Sequence, residues 1–426
     1  MTPTIRTIAT LAIFAAMLAL MMIRPRRWNA AWWTMLAAVA MLFLGLVKPH
    51  DAIAAVSAGK NVLLFLLSIL ALSMLVGKSG FFDWAAIRCA RMARGDGHLL
   101  YRNVFIAGAI VTAILSLDTT AVILTPILLA LVKRLKVPAA PYVLLCAYVA
   151  NVGSLALPIS NLTNLIFADS FRQTFAVFTA RMIAPQLAAL LTTYAVLRWH
   201  YRLRLPRRFD VESLPDPASV TPNTAYFMVC NVVLIVVLIG YFLAPFLGLE
   251  PYVIAFAACA VLTLAGTLTG RVHLRNVREI AWDIFPFVVG LFIAVQGMEN
   301  LGIVGGSSDL LAAMKPGSPG KLFTAAFATA IGSNIANNLP AALIARSVLL
   351  RSHAHMETVL AALIGVNVGS MITPFGSLAT MLVLAFARRG GEEVRTGDLM
   401  LLGLWAVPAI LILTVLALAL SFALVR

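Results

Sequence analysis

The sequence predicts an all-α polytopic membrane protein, an inverted repeat of two halves, each with five transmembrane spans plus one re-entrant hairpin, and with broken helices at the core. Three observations lead there. Of the 426 residues 62% are apolar and only 12% are charged, roughly half the charge that a water-soluble fold carries. Apolar runs of membrane length recur along the chain, each able to cross a hydrocarbon core of roughly 30 Å. Residues 151–165, NVGSLALPISNLTNL, return 216 positions later as residues 367–381, NVGSMITPFGSLATM, with identity at six of fifteen places (Asn151/Asn367, Val152/Val368, Gly153/Gly369, Ser154/Ser370, Pro158/Pro374, Leu162/Leu378). Unrelated windows of this composition share roughly one. A duplicated apolar segment that breaks in mid-membrane is the pattern by which secondary carriers build a substrate site.

The elements follow in chain order. The first span, 5–23, lacks the small-residue cleavage pattern of a signal peptide and is followed by tryptophans suited to an interface, so it is read as retained. Spans at 29–47 and 61–77 come next. The stretch 103–132 is long enough to enter and leave the membrane but carries a polar kink, Asp118-Thr119-Thr120, and is read as a re-entrant hairpin. The span 139–168 breaks at Pro158, with Gly153 nearby, and 179–197 completes the first half, residues 1–197. A polar linker, FDVESLPDPASVTPN (209–223), leads to the second half, residues 224–426. That half offers spans at 224–247, 251–270 and 280–299, then a hairpin at 320–350 with its kink at Ser333-Asn334-Ile335. A broken span at 358–387, interrupted at Pro374 between Gly369 and Gly376, and a last span at 399–425 complete it. Aligning Ala121 with Ala336 superposes the two hairpin kinks at an offset of 215, close to the 216 of the broken spans, and SGFF from Ser79 is weakly echoed by LGIV from Leu301. An odd number of spans per half makes the second enter the membrane in the opposite orientation.

The net charge of +15 does not indicate nucleic acid, because the basic residues lie between spans and form no stripe with interleaved aromatics. Their distribution orients the chain instead. On this scheme 22 of the 32 basic residues fall on one side, including Arg24, Arg26, Arg27, the RWHYRLRLPRR run of 198–208, Arg388 and Arg389, leaving 10 opposite. The richer side is expected in the cytoplasm, both termini on the outer (periplasmic) side, and the protein in the cell's inner membrane.

The residues at the centre of this plan define the expected site. The first half supplies Asp118, Thr119 and Thr120 at the hairpin kink and Asn151, Ser154, Ser160, Asn161 and Asn164 around Pro158. The second supplies Ser333, Asn334, Asn337 and Asn338 from its hairpin and Asn367, Ser370, Thr373, Ser377 and Thr380 around Pro374. Broken backbone survives at membrane depth only where it is buried in protein or lines a wet cavity, and half-helix ends then present N–H donors and carbonyl acceptors. Hydroxyls and amides with almost no fixed charge suit a small, neutral, multiply hydrogen-bonding solute. Any single Asn, Ser or Thr here can equally be interhelical glue. Asp118 is the exception. An ionisable group deep in a membrane protein points to function, and a carboxyl removed from water suits a proton carrier; the plainer alternative is that it caps the second arm of its hairpin.

Other polar residues carry less. Arg346 is expected to snorkel to the outer surface. His353, His355 and Glu357 sit in a short external loop without metal-ligand spacing. Cys89, Cys146, Cys230 and Cys259 form no CxxC pair, so neither zinc nor a disulfide framework is indicated; they read as small buried hydrophobes. No HExxH, GxSxG, P-loop or GxGxxG occurs, so hydrolysis, ATP use and nucleotide cofactors lack support, and no metal or cofactor is expected.

At SGFFDWAA (79–86), LDTTAVILTPILLAL (117–131), PISNLTNLIFAD (158–169), GSNIANNLPAALI (332–344) and MITPFGSLATMLVL (371–384) the chain resembles the ArsB-type arsenite and antimonite efflux carriers of the ion transporter superfamily, over nearly its whole length. The resemblance implies export of As(OH)3 or Sb(OH)3 from the cytoplasm in exchange for protons, with optional association with an ArsA-type cytoplasmic ATPase. It also implies a scaffold of outer spans around a core of hairpins and broken helices. Sodium-coupled members of the superfamily carry a Ser-Asn-Thr hairpin signature in each half; Asp118-Thr119-Thr120 stands in the first here, which favours protons, while Ser333-Asn334 keeps the sodium pattern in the second. The alternatives are a cation/proton antiporter or organic-anion carrier on the same scaffold, although no Lys or Arg falls close to the breaks, and, from another class, a passive channel or a membrane anchor.

Overall fold

The computed structural model describes residues 2–23, 29–212, 214–302, 304–315, 317–392 and 394–424, and among them the chain is helical, with no strand. The first half opens with α1 (Pro3–Ile23), α2 (Ala30–Phe43) and α3 (Pro49–Ala58). It continues with α4 (Lys60–Gly77), α5 (Phe81–Met92) and α6 (Gly97–Ile114). After a sharp interruption come α7 (Leu117–Thr119), a π-helical turn (Thr120–Leu124) and α8 (Thr125–Arg134). Then follow α9 (Ala139–Val152), a 3₁₀ turn (Pro158–Ser160), α10 (Leu162–Ser170) and α11 (Phe175–Tyr201). The second half holds α12 (Thr224–Leu243), α13 (Pro251–Leu268), a 3₁₀ segment (Leu274–Glu279), α14 (Ile284–Asn300) and α15 (Val304–Ala313). It ends with α16 (Pro319–Ala336), α17 (Asn338–Arg351), α18 (Met356–Gly369), α19 (Leu378–Arg389) and α20 (Thr396–Leu424).

Among the described residues seven helices are long and apolar enough to cross a membrane by themselves, whereas α2, α9 and α18 are apolar but shorter. Among the seven is α6, the first arm of the expected first hairpin. Both broken spans are broken where the sequence places proline. Each consists of a 14-residue helix (α9, α18), an irregular link, and a shorter second helix (α10, α19). Every residue of α9 except Ala140 is buried, and α18 is buried from Thr358 onward, so these helices form the centre of the molecule.

The hairpin interruptions fall a few residues from the expected kinks. The first lies at Leu115–Ser116. Ser116 Oγ accepts from Thr119 N at 3.1 Å and is the cap of the second arm, which places Asp118 in the first turn, where the helix dipole favours an anion; the capping role considered for Asp118 belongs to Ser116. The second lies at Asn337, with φ of +76°, whose Oδ1 accepts from Leu339 N. Ser333, Asn334 and Ile335 are still in the last turns of α16. Sequence showed the polar cluster but not which member leaves the helix.

Packing at the centre is tight because small residues permit it. A side chain at Gly365 would overlap the Ala326 carbonyl and one at Gly369 the Ala330 methyl, so the two glycines, four apart on one face of α18, let α16 approach backbone to backbone. The linker is strapped to the end of α5, with Arg91 donating to the carbonyls of Leu214 and Pro215 at 3.1 Å each.

Candidate functional site

The two breaks meet. Asn367 of α18 accepts at its Oδ1 from Asn161 Nδ2 (3.1 Å) and Thr163 Oγ1 (2.7 Å) and donates through Nδ2 to Asn164 Oδ1 (2.8 Å). In return Asn151 of α9 donates to Thr380 Oγ1 of α19 (3.2 Å) and accepts from Ser370 Oγ (3.4 Å). Each half therefore reaches from its first broken helix to the second broken helix of the other. Asn151, Ser154, Asn164, Asn367 and Ser370 have no exposed surface, and Ser154 and Ser370 each donate to the carbonyl three residues earlier, Asn151 O and Asn367 O, at 2.8 Å.

Side chains also repair the interrupted backbone, as membrane depth requires. Asn164 Nδ2 donates to the carbonyls of Ser154 (2.6 Å) and Leu157 (3.0 Å). Gln186 of α11 accepts at Oε1 from Leu155 N (2.7 Å) and Ala156 N (2.8 Å) and donates to Val152 O (2.8 Å). In the second half Asn334 donates to Gly369 O (2.6 Å) and accepts from Thr373 N (2.9 Å). Asn337 donates to Phe375 O (2.8 Å), and Asn338 N donates to Gly376 O (2.7 Å). Gln186 was not among the expected site residues. It lies after Pro185 in an unbroken span, and nothing in its neighbourhood sets it apart from interhelical glue.

Of the expected residues, then, most amides serve the breaks. Ser333 Oγ donates to Ala330 O (2.9 Å) and Ser160 Oγ to Ala113 O (2.6 Å), while Pro158 and Pro374 are both buried. Two buried hydroxyls at the second break, Thr373 Oγ1 and Ser377 Oγ, have no hydrogen-bond partner. Ser377 stands at the start of α19 without capping it.

The first hairpin supplies a different surface. A cavity of about 960 Å³ is walled by Asp118, Thr119, Ser73 and Leu378 and rimmed by Lys78, Glu279, Asp283, Arg388 and Arg389. Asp118 is half-buried and, among the described residues, has no ion pair or side-chain hydrogen bond. Beside it Thr119 Oγ1 pairs with Ser73 Oγ (2.7 Å) and Ser116 Oγ (3.0 Å), and Thr120 Oγ1 with Thr112 Oγ1 (2.7 Å). Thr125 Oγ1 takes up Thr120 O (2.9 Å), a carbonyl in the π-helical turn, a device found preferentially at functional sites.

Sequence reading had this region nearly free of fixed charge; the rim corrects that. Lys78, at the end of α4, bonds Glu279 at 2.6 Å, and that bond, helped by the Asn276 amide, holds the Glu279 carboxyl below its ordinary range. Arg388 and Arg389, at the end of α19, are exposed. These charges come from helix ends far apart in sequence, which no local motif reveals.

A second cavity, about 240 Å³, is lined by Gly59, Asp169, Ser170, Gln296, Glu299 and Arg346. It touches the beginning of α4 and the end of α14, whereas the larger one touches the end of α4 and the beginning of α14. The two helices are antiparallel and the cavities lie toward opposite ends of them. α10 ends at the smaller cavity, whereas α19 lines the larger one along its whole length. Arg346, expected to snorkel outward, is half-buried and donates from Nε to Ser170 Oγ at 2.6 Å.

A family model described as arsenical pump membrane protein (ArsB) matches residues 9–421. The arsenical pump membrane protein of Escherichia coli strain K12 is 31% identical over 418 residues, covering 96% of this chain and 97% of that relative. The protein of the same name from Yersinia enterocolitica is 30% identical with the same coverage. Among solved structures, the YdaH transporter of Alcanivorax borkumensis, described as having an unusual topology, superposes with a TM-score of 0.58 at 18% identity over 88% of this chain and 87% of that one. That likeness is one of fold.

Proposed function

The chain belongs to the family of arsenical pump membrane proteins, and from that premise we propose that it is a secondary carrier exporting As(OH)3 and Sb(OH)3 from the cytoplasm in exchange for protons, by alternating access. The observation that carries the proton half of this reading is Asp118, a carboxyl group without a side-chain partner among the described residues, on the wall of a cavity that reaches an exposed rim. The larger cavity faces the cytoplasm in this reading, because its rim is on the side richer in basic residues.

Undissociated arsenious acid is a neutral trihydroxide that donates and accepts hydrogen bonds. Asp118 and Thr119 on the wall of the larger cavity and, outside that lining, the buried hydroxyls of Thr373 and Ser377 are the groups offered to it. Entry of solute from the cytoplasm accompanies loss of the proton from Asp118. Once the core has turned to the outer side, the solute leaves and Asp118 takes up a proton there. No bond to arsenic is made or broken, and the solute crosses neutral. Each proton entering carries one positive charge, and about 2.3 kcal/mol per 100 mV corresponds to a roughly fifty-fold solute gradient. An ArsA-type ATPase is not needed for this cycle.

The antiparallel course of α4 and α14 between two cavities supports the inverted repeat: these corresponding elements of residues 1–197 and 224–426 then exchange sides. A second reading, an organic-anion carrier on the same scaffold, draws support from Lys78, Arg388 and Arg389 at the rim. Uptake into everted vesicles, with and without a proton gradient and with competing solutes, separates the two. Proton-driven arsenite uptake resistant to excess organic anion is expected. Uptake indifferent to the gradient, or anion transport without arsenite transport, would overturn the proposal.

A further inference from the structure

The smaller cavity has no role in the scheme above beyond its position, yet its lining is unusual. Arg346, Glu299 and Asp169 share a space of about 240 Å³, and among the described residues no ion pair joins the arginine to either acid. Opposite charges around one cavity ordinarily collapse onto each other unless other bonds hold them back. Here they are held. Arg346 Nε is committed to Ser170 Oγ, at the end of α10, and Glu299 Oε1 accepts from Ser347 Oγ, on the next residue of α17. One helix thus tethers the guanidinium toward a broken helix of the first half and the carboxylate of α14 toward itself, and the gap between them is built into the fold.

A guanidinium has five N–H donors and an ionised carboxylate accepts at two oxygens. Most of that capacity faces the cavity unused, with the Gln296 amide beside it. A cation would meet Arg346 and an anion would meet two acids, so neither fits the whole lining. A small neutral molecule with several hydroxyls fits it, donating to Glu299 and Asp169 while accepting from Arg346. We propose that this cavity is a second station for the neutral trihydroxide, a release subsite on the face opposite the larger cavity, with Arg346 and Glu299 as its main contacts. The inference rests on the carrier reading and deepens it by assigning the outer end of the path.

In everted vesicles the outer face becomes lumenal, so the two ends can be titrated separately with arsenite. Exchange of labelled arsenite is measured while varying first the external and then the lumenal concentration. Arg346→Gln and Glu299→Gln are expected to raise the lumenal half-saturation at least five-fold more than the external one, and Arg346→Lys to recover part of the loss. Equal shifts at both ends, or no lumenal shift in either variant, would overturn the release subsite while leaving the carrier reading in place. An unsubstituted protein that moves no arsenite would overturn the carrier reading and this inference with it. Glu299→Gln is nearly isosteric and keeps an acceptor for Ser347, so it carries the test should Arg346→Gln fail to fold.

Discussion

At the scale of single residues the structure separates polar groups that hold the breaks together from those that face open space. Gln186 belongs to the first kind. It satisfies two N–H groups and a carbonyl that have no helical partner, so Gln186→Leu leaves all three buried and unpaired, at about 1–3 kcal/mol each. The expected result is a detergent-solubilised protein whose melting temperature drops by several degrees and whose yield falls, whereas Gln186→Glu, which keeps the acceptor, loses less. Asp118 belongs to the second kind. Asp118→Asn is expected to keep the fold and the solute exchange but lose gradient-driven accumulation; unchanged accumulation would leave Asp118 with only its favourable place at a helix N-terminus. The four cysteines lie apart from the breaks or, like Cys146, point into packed surroundings and are free thiols. Replacing all four with Ser or Ala is expected to leave arsenite resistance largely intact, and its abolition would move the site from hydroxyls to sulfur. The sequence disclosed the residue types, since a repeated run rich in Asn and Ser inside apolar spans is visible by itself. It could not separate glue from contact, because Asn164 and Thr373 have similar neighbours in the chain and differ only in what the fold brings to them.

At the scale of elements the broken spans were legible because proline and glycine interrupt apolar runs at matched positions, and backbone without a helical partner must then be buried. The short helices α3, α5 and α15 were not anticipated as separate elements. They are too short or too mixed in composition to register as spans, and their positions depend on the ends of longer helices. α5 illustrates this: Phe82, Ala86, Ile87 and Ala90 are buried along one face, while Arg91 holds the linker. The element whose integrity matters most is the pair α16 and α18, which touch along Gly365 and Gly369. Gly369→Leu forces the helices apart at the point where Asn334 bonds the second break, and a loss of folded protein is expected by size-exclusion chromatography. Gly306→Leu, at a position with nothing within 4 Å of an added Cβ, serves as the tolerated control. A well-folded Gly369→Leu protein would show that close approach of these helices is dispensable.

At the scale of the whole molecule, two cavities lie at opposite ends of an antiparallel pair of helices, with a knot of hydrogen bonds between the halves at the breaks. The repeat offsets of 215 and 216 suggest a two-fold plan from the chain alone, whereas the charged rim of the larger cavity and the unpaired charges of the smaller come from separate helices and carry no local signal. In a protein without its native cysteines, Val122→Cys, on the wall of the larger cavity and partly exposed, is expected to react with a membrane-impermeant thiol reagent added from the cytoplasmic face. Labelling from the outer face alone would reverse the orientation. The central claim is that solute and proton move in opposite directions through Asp118, and the most direct measurement is proton flux in proteoliposomes driven only by an imposed arsenite gradient. The account predicts proton movement opposite to arsenite in the unsubstituted protein and none with Asp118→Asn, whose arsenite exchange continues. An arsenite gradient that moves no protons, or proton flux undiminished by Asp118→Asn, would contradict it.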